Sequence, residues 1–195
     1  MTSNGTSPAS TAEIIYEKPP SGALKEISFG SDRGNTLWVR FTDADGISEW
    51  IGKFGCGIST SMRVTKAVEP DRFMVVAGGF AYLVDATKRT LLNRLIEDYV
   101  HDVAYDPFRN QFIAGDTCLR MIEDGRDFWA SARFAADGIH SLCIMGRILS
   151  GIAVVGYEGE EARFEFDLDA REFVVSPICR NQKSPDATKP WWRFW

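Results

Sequence analysis

The sequence predicts an all-β fold of β-propeller type, with four blade-like repeats of about 40 residues, and three recurring registers predict it. The repeats open with Leu24-Lys25-Glu26-Ile27, Met62-Arg63-Val64-Thr65, Val100-His101-Asp102-Val103 and Ile139-His140-Ser141-Leu142, so Lys25, Arg63, His101 and His140 follow one another at spacings of 38, 38 and 39 residues. Ala77-Gly78, Ala114-Gly115 and Val155-Gly156 close the second strand of successive units. The acids Asp43, Asp85, Asp124 and Asp167 follow strands at intervals of 42, 39 and 43. A two-layered β-sandwich is the alternative, but it does not require three registers to be kept at once.

Each unit reads as a run of short strands. Residues 1–12 are rich in Ser, Thr, Gly, Pro and Asn, too polar to offset the entropy of ordering, and are expected to form a flexible tail. Ile14-Ile15-Tyr16 is a short strand, placed to clasp the ring by pairing with the last unit, and Pro19-Pro20-Ser21-Gly22 breaks the chain after it. Leu37, Val39 and Phe41 alternate with Trp38, Arg40 and Thr42, the period of two that sends one face to a core. Asp43 to Gly46 turns into a strand over 48–54. In the second unit strands over 73–77 and 80–84 flank a Gly78-Gly79 turn. Residues 88–100 carry Leu91, Leu92, Leu95 and Ile96 at helix-like spacing, but the repeat register assigns a strand over 91–96. The third unit has strands at 103–105, 112–115, 119–122 and 128–134, and the fourth at 141–144, 149–155, 163–166 and 173–176. The propeller-like domain therefore covers residues 13–179, followed over 180–195 by a polar linker and an aromatic tail.

A length of 195 residues and a 45% hydrophobic share suit a domain with its own core. A formal net charge of −5 argues against phosphate-backbone binding and keeps the protein soluble, so no nucleic acid is expected as partner. No run of 18 apolar residues and no signal-like N-terminus occurs, from which a cytoplasmic protein without membrane contact is expected. Cys56, Cys118, Cys143 and Cys179 are scattered with no Cys-x-x-Cys, as for reduced thiols packed in strands. Cys56, between Gly55 and Gly57, reads as a turn thiol rather than a reactive one.

Asn35 to Phe54 resembles the paired strands "N-L-W-hydrophobic-T…G…I-G-K" of the lyase-like and NHL propellers, and Val103 to Gly115 resembles the "V-A-hydrophobic-D-P…hydrophobic-A-G" hairpin shared by NHL and WD40 blades. The resemblance implies a propeller fold over Leu24 to Ile178 and no particular activity. No blade ends in Trp-Asp and no Gly-His pair occurs, which departs from a standard WD40 protein. Four units leave two arrangements, a compact ring or a half-ring completed by another copy as a homodimer.

If the units are blades, Lys25, Arg63, His101 and His140 form a ring at one mouth of the central channel, a positive focus suited to an anionic or acidic ligand. Four solvated side chains at strand starts are the plainer reading. Metal binding by His101 and His140 lacks ligand spacing, and Asp43-x-Asp45 and Asp167-x-Asp169 read as hairpin turns rather than calcium loops. No nucleophile elbow, P-loop or dinucleotide signature is present, so no cofactor, metal or catalytic residue is assigned. Pro190-Trp191-Trp192-Arg193-Phe194-Trp195 places Trp191, Trp192, Phe194 and Trp195 together. Such a cluster either docks on another protein or folds back on its own domain. These features point to a non-enzymatic protein-interaction module, a scaffold or an inhibitor or immunity-type binder. The alternative is a small propeller enzyme, a lyase or hydrolase acting on an anionic ligand at the channel mouth.

Overall fold

The computed structural model describes residues 9–20, 22–30, 34–67, 71–95, 99–123, 125–156 and 158–177. These residues form strands and no helix, arranged in four four-stranded sheets. Sheet A holds β1 (Thr11–Ile15), β2 (Lys25–Phe29), β3 (Thr36–Thr42) and β4 (Glu49–Gly55) in the order β1-β3-β4-β2. Sheet B is the meander β5 (Met62–Lys66), β6 (Arg72–Ala77), β7 (Phe80–Asp85) and β8 (Thr90–Leu95). Sheet C repeats it with β9 (Asp102–Asp106), β10 (Gln111–Gly115), β11 (Leu119–Glu123) and β12 (Arg126–Ala130). Sheet D repeats it again with β13 (Ile139–Met145), β14 (Ile148–Val154), β15 (Glu161–Asp167) and β16 (Glu172–Val175). The all-β, blade-like expectation holds, and the expected strand over 91–96 is β8 (Thr90–Leu95) as far as the described residues go, rather than helix.

The hairpins follow from their residues. Gly78 and Gly79 take φ of 58° and 95°, the left-handed pair that a two-residue β6–β7 turn requires. One turn device serves three hairpins: Asp85, Asp106 and Asp167 each accept backbone N–H groups two or three residues on, and Arg89, Asn110 and Arg171 end those turns at φ of 50–56°. The expected Asp85 and Asp167 register is therefore a set of capped turns. Asp106 belongs to it, and Asp124 lies outside the described residues.

Neighbouring sheets pack face to face. Between A and B, Phe41 stacks on Trp50 with ring centroids 4.2 Å apart and meets Phe73 edge-on at 5.4 Å, while Phe54 meets Tyr82 at 5.3 Å. Met74, Val76 and Leu83 of B pack on Val103, Phe112 and Ile122 of C. Ile113, Leu119 and Met121 of C pack on Leu149, Phe164 and Phe166 of D. Burial of each such side chain stabilises the fold by roughly 1.5–3 kcal/mol. Among the described residues no apolar cluster joins D back to A, so four sheets share three cores.

The inner strands succeed one another as β1, β5, β9 and β13. Ser61, just before β5, lies 3.4 Å from His101, just before β9, and Gly138, just before β13, lies against the same His101 ring, so β5, β9 and β13 run in one direction. Sheet A runs the other way. Ser10, just before β1, donates its hydroxyl to Asp71 at 2.8 Å and has its carbonyl bonded by Lys66 at the far end of β5. Arg89 of the β7–β8 turn likewise reaches Asp43 at the end of β3, at 2.6 Å.

Three expectations are corrected here. β1 pairs with β3 inside sheet A, Ile14 opposite Val39, and does not clasp the last unit. The strand that opens the first repeat, β2, lies at the outer edge of sheet A and pairs with β4 in parallel, so it is not the counterpart of β5, β9 and β13. Ser10 is 2% exposed and β1 starts at Thr11, so the ordered domain begins ahead of residue 13.

Candidate interaction surface

The end of the arc where β5, β9 and β13 begin is organised by Asp102, a side chain that no motif in the sequence singles out. Its carboxylate is 3% exposed and accepts three bonds of 2.8 Å, from Arg63 Nε of β5, from its neighbour's Val103 N–H and from Leu142 N–H of β13. A bulge makes the third bond available: Ser141 takes φ of 57°, the β13–β14 register shifts between His140 and Cys143, and the Leu142 N–H turns out of the ladder. One buried anion thus ties three successive inner strands together. The signal available in the sequence is an acid at the head of the apolar run Val103-Ala104.

The predicted cations do not form a ring. Arg63 on β5 and His101 just before β9 are neighbours, with Arg63 half-exposed and paired to Asp102 and the His101 ring against Ser61 and Gly138. A Cβ at Gly138 would come within 2.6 Å of that ring, and its φ of 116° also suits glycine alone. Lys25 opens β2 at the outer edge of sheet A. His140 lies across β14 from Glu161 and bonds it through Nε2 at 3.1 Å, on the face of sheet D that looks away from sheet C. Trp191, Trp192, Phe194 and Trp195 lie outside the described residues.

Among the described residues, the surface left uncovered is that outer face of sheet D. Strand alternation sends Leu149, Phe164 and Phe166 into the C–D core, and sends Ile148, Ser150, Ile152 and Val154 of β14 with Glu161, Arg163 and Glu165 of β15 outward. The β14 residues are half-buried and the β15 residues exposed, with exposed Cys143, Met145 and Val175 beside them. A cavity of about 550 Å³ is sunk here, lined by Ser150, Ile152, Arg163, Glu165 and Val175 among others. Arg163 and Glu165 have no ion-pair partner among the described residues.

The outer face of sheet A differs. Glu13 pairs with Arg40 at 3.2 Å and Glu26 with Lys53 at 3.8 Å, and Lys53 lies 5.3 Å from the Trp38 ring centroid. That face answers its own charges. Elsewhere, burial pushes the Cys56 thiol up, away from a reactive thiolate. The Asp45 carboxylate is spent within its own turn on Ile47 and Ser48. Among the described residues no group of three His, Cys, Asp or Glu side chains could hold a metal ion, and no helix is long and apolar enough to cross a membrane.

No protein-family model matches the chain, and no curated protein matches it. Among solved structures, the C-terminal WD40 domain of Sif2 is similar with a TM-score of 0.53 and 10% identity, over 77% of this chain and 44% of that one. The dihydro-heme d1 dehydrogenase NirN in complex with DHE is similar with a TM-score of 0.53 and 16% identity, over 80% of this chain and 36% of that one. At these identities the likeness is one of fold: the chain has a β-propeller type of architecture. It spans less than half the length of either neighbour.

Proposed function

We propose that the protein is a non-enzymatic protein-interaction module, a scaffold or an inhibitor or immunity-type binder, that meets its partner on the outer face of sheet D, with the aromatic segment 190–195 as a second contact. The observation that carries this reading is the open D face. Ile148, Ile152, Val154 and Val175 present apolar surface beside Arg163 and Glu165, which have no ion-pair partner among the described residues, and an apolar centre with a charged rim is the mixture that protein interfaces use. The WD40 likeness accords with it at the level of fold. The rival, an enzyme acting on an anion at the channel mouth, uses His101 or His140 as base and Lys25 or Arg63 to steady the anion. Arg63 on β5 and His101 just ahead of β9 are neighbours, but the Arg63 guanidinium is already engaged by Asp102, while Lys25 lies at an outer edge and His140 is bonded to Glu161 on an outer face.

The test is affinity purification of the tagged full chain from its native host. Ile152→Asp, with an unchanged melting temperature, is expected to release the retained partner, and deletion of 190–195 to weaken retention. Retention untouched by both changes, together with small-anion binding that Arg63→Ala and His101→Ala abolish, would transfer the assignment to the enzyme reading.

A further inference from the structure

We infer that the outer face of sheet D is a two-fold interface on which a second copy of this chain docks, sheet D against sheet D. The inference rests on the reading of that face as an interaction surface and names its occupant.

Charge complementarity of the face with itself is what selects a second copy. Arg163 and Glu165 stand two residues apart on β15, on one face, and opposite Ile152 and Ser150 of β14. Neither has an ion-pair partner among the described residues, whereas Glu161 is engaged by His140. An in-plane two-fold axis crossing the strands at the level of Phe164 and Gly151 reverses the strand direction and leaves β15 over β15. It sets Arg163 over the second copy's Glu165, and Glu165 over its Arg163, two pairs from one operation. The same operation lays Ile152 of each copy over Ser150 of the other. That hydroxyl is already bonded to the Cys143 carbonyl at 3.3 Å, so little polar demand is buried with it. Sheet A offers no comparable complement, because its Glu13–Arg40 and Glu26–Lys53 pairs are closed within the chain. Strands about 4.8 Å apart and up to seven residues long make a face on the order of 500 Å², toward the lower end of specific interfaces, so the dimer is expected to dissociate on dilution.

The experiment is sedimentation velocity on the full chain across a concentration series, with charge swaps. The wild type is expected to double its mass at high concentration. Arg163→Glu alone sets like charges over each other, as does Glu165→Arg alone, and each is expected to be monomeric with a native melting curve. An equimolar mixture of the two, and the double variant carrying both changes, should recover the dimer, since both restore opposite charges across the axis.

A wild type that stays monomeric throughout overturns the inference, as does a mixture that fails to recover the dimer. A dimer broken by Glu13→Arg or Lys53→Glu instead would mean that sheet A meets sheet D head to tail, and would overturn it too. Loss of the dimer on deleting residues 190–195 would assign the contact to the aromatic segment and overturn it as well. A monomeric wild type whose foreign partner is still released by Ile152→Asp would sink the second copy and leave the interaction reading standing. A monomer with no such partner would sink both.

Discussion

Replacing Asp102 with Ala should cost about 3 kcal/mol of folding stability, a magnitude that comes from what the carboxylate holds. It accepts the Leu142 and Val103 N–H groups, both in buried segments, and alanine can replace neither acceptor. A buried donor left unsatisfied costs about 1–3 kcal/mol, and partial relaxation of the bulge at Ser141 keeps two of them toward the lower end of the combined range of about 2–6 kcal/mol. Arg63 is 50% exposed, so its guanidinium regains water, and the lost ion pair adds no more than about 1 kcal/mol. Arg63→Met strands no donor but leaves the buried Asp102 carboxylate without its cation, and should cost roughly half as much as Asp102→Ala, with Asp102→Asn, which keeps one acceptor oxygen, in between. Urea denaturation monitored by tryptophan fluorescence gives the differences, provided the slope m stays constant across the set. The melting temperature of the alanine variant should fall by about 6–12 °C on the same basis. If Arg63→Met destabilises as much as Asp102→Ala, the ion pair rather than the backbone donors holds the inner strands together, and the reasoning fails.

Three further outcomes rest on single contacts. Tyr82→Phe removes a 2.6 Å bond from a buried hydroxyl to the Gly55 carbonyl between sheets A and B, and should cost about 1–2 kcal/mol in the same denaturation assay. Gly30→Ala should cost about 1–3 kcal/mol, because φ is 93° and the new Cβ would sit 2.7 Å from the Tyr82 hydroxyl. In the Tyr82→Phe background that cost should shrink, which a double-mutant cycle reads directly. The Asp45 carboxylate, bonded first by the Ser48 hydroxyl and then by the Ser48 and Ile47 N–H groups, should titrate at about 2 by NMR, and Ser48→Ala should raise it toward the usual 3.8. Because the folded value is the depressed one, the contribution of this turn is complete above pH 3.8 and is lost as the pH falls through about 2.

Most of the strands were legible because period-two alternation is a local property. Leu37-x-Val39-x-Phe41 and the Gly78-Gly79 turn specify their hairpin without reference to anything distant. The helix-like spacing of Leu91, Leu92 and Leu95 misleads on its own, and the repeat register recovers β8 because the third unit continues from the equivalent turn into a strand. Sheet A was not legible in the same way. Pairing β1 with β3 over an intervening β2, and docking β2 in parallel on β4, are long-range choices with no local mark. The basic residue at Lys25 therefore falls into the spacing of Arg63 and His101 without sharing their place in the fold. Asp102 carries no local mark for a related reason: its partners Arg63 and Leu142 lie 39 and 40 residues away, and only the packed inner strands bring them to one carboxylate. The open D face was half visible. Glu161-x-Arg163-x-Glu165 alternates charge along β15, where the corresponding strand β7 of sheet B is apolar on both sides over Phe80 to Val84.

The ion-paired outer face of sheet A explains why the stack of sheets ends where it does. A meander of the B, C and D kind presents one apolar face to each neighbour. Sheet A spends its apolar face, with Val39, Phe41, Trp50 and Phe54, on sheet B, and turns outward a surface of Glu13, Arg40, Glu26 and Lys53. Covering that surface with another sheet would desolvate two ion pairs whose members now lie 25–62% exposed, and the attraction within pairs already formed would not grow enough to offset the loss of water. Repeat stacks stay soluble by ending in such polar faces. Among the described residues sheet D has no equivalent cap: Ile148, Ile152 and Val154 face outward beside Arg163 and Glu165, charges that nothing within the described chain answers. Addition of another surface is therefore opposed at one end of the arc and favoured at the other, and charge reversal at Lys53 should leave association unchanged where reversal at Arg163 abolishes it.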